Sequence, residues 1–168
     1  MIALWAALGI ALSLIAELAL GRFAPGLTSY VAIMALPLTA YALRTSQRSS
    51  MMTGCASGLL EDYWIEPHLF GLNGLVKTLL GWALGGIGAR FDLSTFWGSV
   101  ASGASVHVLD EVFQAGLRRL FGETVMPMGA AALGLRALSG GLLTAAVLAI
   151  LSKFGTRRRA ARPKPRKA

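Results

Sequence analysis

Long apolar runs recur along almost the whole chain, and short turns separate them. Hydrophobic residues make up 55% of the sequence. Charged residues make up 14%, well below the proportion of about a quarter that is usual in soluble domains. A helix of about 20 apolar residues is long enough to cross the hydrocarbon of a bilayer. The pattern therefore predicts an all-α integral membrane protein rather than a soluble domain with one core.

Six of these runs fit transmembrane helices, and together they predict one domain over residues 1–152. They cover residues 2–20, 27–43, 50–63, 70–89, 94–117 and 125–151. The third run is the shortest and most polar, so it must tilt or be shielded by its neighbours. Pro37 predicts a kink in the second. No basic residue precedes the first run, which favours a retained span over a cleaved signal peptide.

The net charge of +8 comes from the C-terminal tail. Residues 153–168 hold eight of the 16 Lys and Arg residues and no acidic residue, so the rest of the chain is balanced. This distribution argues against a nucleic-acid-binding face. It predicts a disordered cytoplasmic tail that lies against anionic lipid. Because basic segments stay in the cytoplasm, an even number of spans places both termini there.

Several polar and charged residues lie inside or at the ends of the predicted spans, where charge is costly unless it is paired or functional. In the six-span order nearly all of them converge on the outer half of the bundle. They are Glu17, Asp62, Asn73, Lys77, His107, Asp110, Glu111 and Arg136. Lys77 and Asp110 both lie about 10 Å from the outer end by helical rise, and we expect them to pair. Two interpretations remain open: internal pairing that stabilises the bundle, or an outward-facing polar pocket or interface.

No arrangement of residues indicates catalysis. Ser105 and His107 lie on different faces of a helix, and the GxSxG, HExxH and phosphate-loop motifs do not occur. His107, Asp110 and Glu111 have a spacing that can bind a metal, but the same spacing arises readily by chance. The single cysteine, Cys55, excludes an intrachain disulfide. We therefore expect no enzymatic activity, no cofactor and no metal.

Glycine and other small residues recur four positions apart within the spans, a spacing that lets helix backbones approach closely. The pattern predicts a tight bundle. The positions expected at helix contacts or in the central motif are Gly58, Gly71, Gly74, Gly81 and Gly85.

The central stretch combines three sequence features. A short span ends in Gly-Leu-x-x-Asp, a Gly-Leu-Asn-Gly-Leu run opens the next helix, and that helix ends in a glycine-rich turn with a basic residue. The residues are Gly58, Leu59 and Asp62, then Gly71, Leu72, Asn73, Gly74 and Leu75, then Gly85, Gly86, Gly88 and Arg90. This motif, which covers about a quarter of the chain, resembles the bacterial rod-shape-determining membrane protein family MreD.

The resemblance implies a non-enzymatic subunit of the cell-elongation machinery in the bacterial inner membrane. Its expected partners are the single-span protein MreC, the actin-like MreB, and the glycosyltransferase and transpeptidase that build peptidoglycan. The family's six-helix fold is similar to the substrate-binding components of energy-coupling-factor transporters. A small-molecule-binding transporter component is therefore the alternative, and a small membrane protein of neither class is a third. The basic tail is not part of the family pattern.

Overall fold

The computed structural model describes residues 2–28, 30–65, 70–91, 93, 95–125 and 128–154. Its helices are α1 (Ile2–Phe23), α2 (Pro25–Thr28), α3 (Ala35–Ala42), α4 (Gln47–Trp64), α5 (Leu72–Arg90), α6 (Phe96–Leu120) and α7 (Ala130–Phe154). No strand occurs in these ranges, so the all-α prediction is confirmed. Of the tail predicted to be disordered, residues 153–168, the first two are the last residues of α7, and the others lie outside the described residues.

Two of the described helices are long and apolar enough to cross a membrane. The qualifying segments are Ala6–Phe23 in α1 and Ala130–Ser152 in α7. The helices between them contain more polar residues. The α4 sequence contains four serine or threonine residues together with Arg48, Glu61 and Asp62, and α5 and α6 also contain charged residues.

The second predicted span is not one helix. It consists of the four-residue α2 and the eight-residue α3, which are separated by a non-helical segment at residues 30–34. The prediction of a continuous helix over 27–43 with a kink at Pro37 is therefore wrong. Pro37 lies in the first turn of α3, where backbone N–H groups have no partner inside the helix and proline is tolerated.

The third predicted span is longer than expected. The α4 helix has 18 residues and begins three residues before the predicted start at Ser50. Ser46 caps it, because its side chain accepts a hydrogen bond from the Ser49 N–H. Such a cap satisfies one of the N–H groups left open at a helix start. The apolar pattern alone did not reveal this first turn, which is made of polar residues.

Helices α4 and α5 run antiparallel, and four glycines bring their backbones into contact. A Cβ atom on Gly54 or Gly58 would meet the backbone of Lys77 or Asn73 on the opposite helix. A Cβ on Gly81 would lie 2.5 Å from the Ser50 carbonyl oxygen, and one on Gly85 would lie 2.9 Å from Gln47 Cα. Real Cβ atoms do not approach other atoms this closely. The small-residue spacing therefore makes this close helix pair possible.

Helices α6 and α7 form the second close pair. A Cβ on Gly103 of α6 would lie 2.5 Å from Thr144 Oγ1, and one on Gly141 of α7 would lie 2.7 Å from the Val100 carbonyl oxygen. The short α3 lies between the two pairs, where Leu38 is fully buried and Thr39 Oγ1 lies 3.2 Å from Thr144 Oγ1.

Contacts between distant residues define the two ends of the bundle. At the first, the Arg44 guanidinium donates to the Leu148 carbonyl oxygen near the end of α7, at 3.0 Å. We call this end of the bundle the Arg44 end. The opposite end, where α4 meets the start of α5, is called the Asp62 end. The α1 helix places Glu17 beside Met34 and Gly9 beside Pro37. Because α3 runs from Met34 towards the Arg44 end, α1 starts and α7 finishes at that end.

Candidate functional site

Asp62 connects α4 to the start of α5. Its carboxylate accepts hydrogen bonds from the backbone N–H groups of Gly71, Asn73 and Gly74, at 3.0, 3.1 and 3.1 Å. Those N–H groups lack partners inside the helix, and the positive end of the helix dipole favours a carboxylate at this position. Asp62 is fully buried. It therefore holds α5 against α4 without needing a basic side chain.

Gly71 makes this cap geometrically possible. Its φ of 98° lies in the left-handed region, which glycine adopts readily and other residues rarely adopt. The turn directs the N–H of Gly71 and the first N–H groups of α5 towards one carboxylate. The spacing from Gly58 through Asp62 to Gly74 therefore describes one structural unit: a close helix contact, a capping carboxylate and the turn that it caps.

Lys77 lies one turn further into α5 and is completely buried. Its ammonium donates to the Glu61 carboxylate, and Asp110 Oδ2 of α6 lies 3.9 Å from the same nitrogen. The predicted proximity of Lys77 and Asp110 is confirmed. Glu61 is nevertheless the closer partner, and sequence analysis left it out of the site. We name Glu61, Lys77 and Asp110 the Lys77 cluster.

Two further acidic residues extend this charged region. Glu111, the residue directly after Asp110 in α6, forms an ion pair with Arg136 of α7 at 3.2 Å. Glu17 of α1 is close enough to Lys77, Asp110 and Arg136 to interact with them electrostatically. Five helices thus contribute charged side chains to one region of the bundle: α1, α4, α5, α6 and α7.

His107 is buried at the contact between α6 and α7. Its ring packs against Gly140, where a Cβ atom would overlap it. Nδ1 lies 2.8 Å from the Gly103 carbonyl oxygen, and Nε2 lies 3.0 Å from the Ala32 carbonyl oxygen. The histidine therefore connects α6 to the non-helical segment that interrupts the second span.

That segment, residues 30–34, is held by side chains from three helices. His107 of α6 lies within hydrogen-bond distance of the Ala32 carbonyl oxygen. The Glu17 carboxylate of α1 accepts a hydrogen bond from the Met34 N–H at 2.7 Å. The Ser139 hydroxyl of α7 donates to the Tyr30 carbonyl oxygen at 2.6 Å. Non-helical backbone within a membrane domain is tolerated where protein groups satisfy it. These three contacts satisfy backbone groups that a continuous helix would have paired internally.

The structure brings all eight predicted polar residues into these connected contacts. Asn73 contributes a backbone N–H to the Asp62 cap, and its side chain is buried. Sequence reasoning missed Glu61 and Ser139. Glu61 is adjacent to Asp62, so the signal was the acidic pair itself. Ser139 lies three residues after Arg136, on the same face of an otherwise apolar helix.

The three residues with metal-ligand spacing have separate partners. His107 contacts backbone carbonyl oxygens, Asp110 lies near Lys77, and Glu111 pairs with Arg136. Across the described ranges, no group of three His, Cys, Asp or Glu side chains is arranged to hold a metal ion.

A groove of about 310 Å³ lies on the surface of the α4–α5 pair. Its lining is mainly apolar and contains none of the charged residues described above. The lining residues are Cys55, Leu59, Gly71, Gly74, Leu75, Thr78 and Leu79.

Comparison with known proteins found no matching protein-family model, no matching curated protein and no matching solved structure.

Proposed function

We propose that this chain is a non-enzymatic, multi-pass subunit of the bacterial cell-elongation complex in the inner membrane, of the MreD type, and that it binds MreC. Through MreC it would act with MreB and with the peptidoglycan glycosyltransferase and transpeptidase. The observation that carries the proposal is the structural role of the motif residues. Gly58 lets α4 approach the backbone of Gly74, and Asp62 caps the start of α5 at Gly71 and Gly74. The motif residues therefore belong to one structural unit.

The distribution of polar and apolar surface supports a scaffold. The charged residues of the bundle interior have partners within the chain, whereas α1 buries only Ile10 and Ser13 among its described side chains. Its large exposed residues include Leu4, Leu8, Leu12, Ile15 and Leu18. Such a surface is stable against lipid or against the transmembrane helix of a partner.

The proposed topology has six crossings, the second of which is the broken α2–α3 segment. With α1 starting and α7 finishing at the Arg44 end, both termini lie on one side, the cytoplasm. The basic tail would then meet the anionic inner leaflet.

The proposal is tested by purifying the tagged chain from its native membrane in mild detergent and identifying its companions by mass spectrometry. A tagged, unrelated multi-pass protein of similar size from the same membrane is the control. Enrichment of MreC or the elongation synthases over the control is expected, together with rounding of rod-shaped cells when the chain is depleted. Normal cell shape after depletion, with neither protein enriched, would reject the proposal.

One observation favours the alternative of a small-molecule-binding transporter component. Interrupted helices flanked by ionisable side chains form binding sites in many transporters, and residues 30–34 with Glu17 and His107 have this character. The same purification separates the two functions. Recovery of ATPase subunits or of a bound small molecule, without MreC, would favour the transporter component.

A further inference from the structure

Among the described residues, the hydrogen-bonding partners of the His107 ring are all backbone carbonyl oxygens. Both ring nitrogens lie within hydrogen-bond distance of backbone carbonyl oxygens, Gly103 at 2.8 Å and Ala32 at 3.0 Å. A carbonyl oxygen accepts hydrogen bonds and cannot donate them, and a neutral imidazole carries a proton on only one of its nitrogens. In the neutral ring, one nitrogen lone pair would therefore face a carbonyl lone pair. Only the imidazolium form donates to both oxygens.

The charges around His107 favour that form. Asp110 lies three residues further along α6, on the same helix face, and is almost completely buried. Neither carboxylate oxygen of Asp110 has a hydrogen-bond partner among the described residues, and its cationic neighbour Lys77 is 3.9 Å away. A second positive charge on this helix face would compensate the Asp110 carboxylate.

Two charged side chains act on the ring from the elements packed against it: Asp110 of α6 favours a positive charge on His107, and Arg136 of α7 opposes it. Glu111 pairs with Arg136, which offsets part of that opposition. Glu17 of α1 and Glu61 of α4 belong to the same charged region as Asp110 and the Lys77 ammonium. A positive charge on His107 is therefore added beside Asp110 to a region that holds three carboxylates and one ammonium.

We propose that His107 is a buried proton-binding site, an imidazolium whose two N–H groups hold the Gly103 and Ala32 carbonyl oxygens and whose counter-ion is Asp110. The proton from solvent is the ligand. The structural effect of protonation is local, because the Nε2 proton is donated to the Ala32 carbonyl oxygen and attaches the non-helical segment 30–34 to α6. Release of the Nε2 proton removes the side-chain donor to the Ala32 carbonyl oxygen, which still accepts the Ala35 N–H at 3.4 Å, and weakens the attachment to α6. This inference goes beyond the scaffold function and holds for either proposed partner set.

Nitrogen-15 NMR of the full chain, labelled at histidine and reconstituted in lipid nanodiscs, tests the site directly. The chain has two histidines, so a His68→Gln variant leaves the resonances of His107 alone. We expect both ring nitrogens to show the chemical shift of a protonated nitrogen at neutral pH. A shift characteristic of an unprotonated nitrogen at either position would overturn the proposal.

A second variant tests the counter-ion. Asp110→Asn in the same background should lower the pH at which His107 loses a proton, whereas Glu123→Gln, in the turn after α6, should leave it unchanged. Circular dichroism and gel filtration establish that each variant folds. Equal titration of His107 in the Asp110→Asn, Glu123→Gln and parent proteins would reject Asp110 as the counter-ion. The NMR result on the parent remains decisive for the proton site if the Asp110 variant does not fold.

Discussion

At the scale of single residues, the most consequential side chain is Lys77. It is the one cation within the Lys77 cluster, and Glu61 and Asp110 are both buried beside it. Removing one member of a buried ion pair leaves the other charge uncompensated and costs about 3–5 kcal/mol. We therefore expect Lys77→Met to lower the thermal unfolding temperature in detergent strongly.

Arg90 provides the matched control, because it lies on the same helix but is exposed in its last turn. Arg90→Met should change the unfolding temperature little. Adding Glu61→Gln to Lys77→Met should recover part of the loss, because it removes a carboxylate that has lost its partner. If Lys77→Met were as mild as Arg90→Met, the Lys77 cluster would contribute no stability.

Asp62 gives a second prediction at this scale. Its carboxylate accepts three backbone N–H groups at the start of α5, and loss of a capping side chain typically costs about 0.5–2 kcal/mol. Asp62→Ala should speed hydrogen exchange at Gly71, Asn73 and Gly74. Asp62→Asn, which keeps one acceptor oxygen, should have a smaller effect. Unchanged exchange in the alanine variant would mean that the cap does not order this turn.

The sequence allowed some of these residue contacts to be predicted. The proximity of Lys77 and Asp110 followed from equal depths on two helices, which requires only helical rise and topology. The closer partner, Glu61, did not follow. Adjacent acidic residues on a helix point in directions that differ by about 100° (3.6 residues per turn), so the local sequence did not show which would face Lys77 and which would face the turn.

At the scale of secondary-structure elements, the α4–α5 contact depends on the absence of side chains. A Cβ on Gly58 would lie 2.6 Å from the Asn73 carbonyl carbon and 2.7 Å from Gly74 Cα. Because both atoms are backbone, Gly58→Ala must separate the helices, and overpacking of this kind costs about 1–3 kcal/mol.

Gly134 of α7 is the matched control, since a Cβ there would have no neighbour within 4 Å. Gly134→Ala should be neutral or should stabilise the protein by roughly 0.5–1 kcal/mol, because alanine has the higher helix propensity. Thermal unfolding of both variants measures the difference. Equal unfolding temperatures would show that α4 and α5 are not packed as closely as described.

The second span shows why elements with the same composition can differ in structure. Residues 27–43 are as apolar as a membrane helix, and the pattern alone predicts one. The break at residues 30–34 is stabilised by Glu17, His107 and Ser139, which lie on other helices. Only the packed bundle brings these donors and acceptors to the segment, so periodicity within the segment could not reveal the break.

At the scale of the whole molecule, the antiparallel order of the helices predicts which segments share a side of the membrane. Arg90 lies at the Arg44 end and Thr124 beyond the opposite end of α6. In a Cys55→Ser background, the proposed topology predicts that Arg90→Cys and Thr124→Cys react with a membrane-impermeant thiol reagent from opposite faces of the membrane. Labelling of both from one face would contradict the proposed crossing by α6.

Residues 30–34 receive hydrogen bonds from helices that come later in the chain, and this order has a consequence for biosynthesis. The partner of Tyr30 is 109 residues further along the chain, and that of Ala32 is 75 residues further. Proteins are synthesised from the N-terminus, so in the proposed six-crossing topology residues 30–34 enter the bilayer before α6 and α7 exist. Until then their carbonyl groups lack these donors, a condition that hydrocarbon disfavours. The second span is thus translated early, but the hydrogen bonds of residues 30–34 are completed only when the final helix is inserted. A nascent chain that stops before that point exposes unpaired backbone to insertases and quality-control proteases.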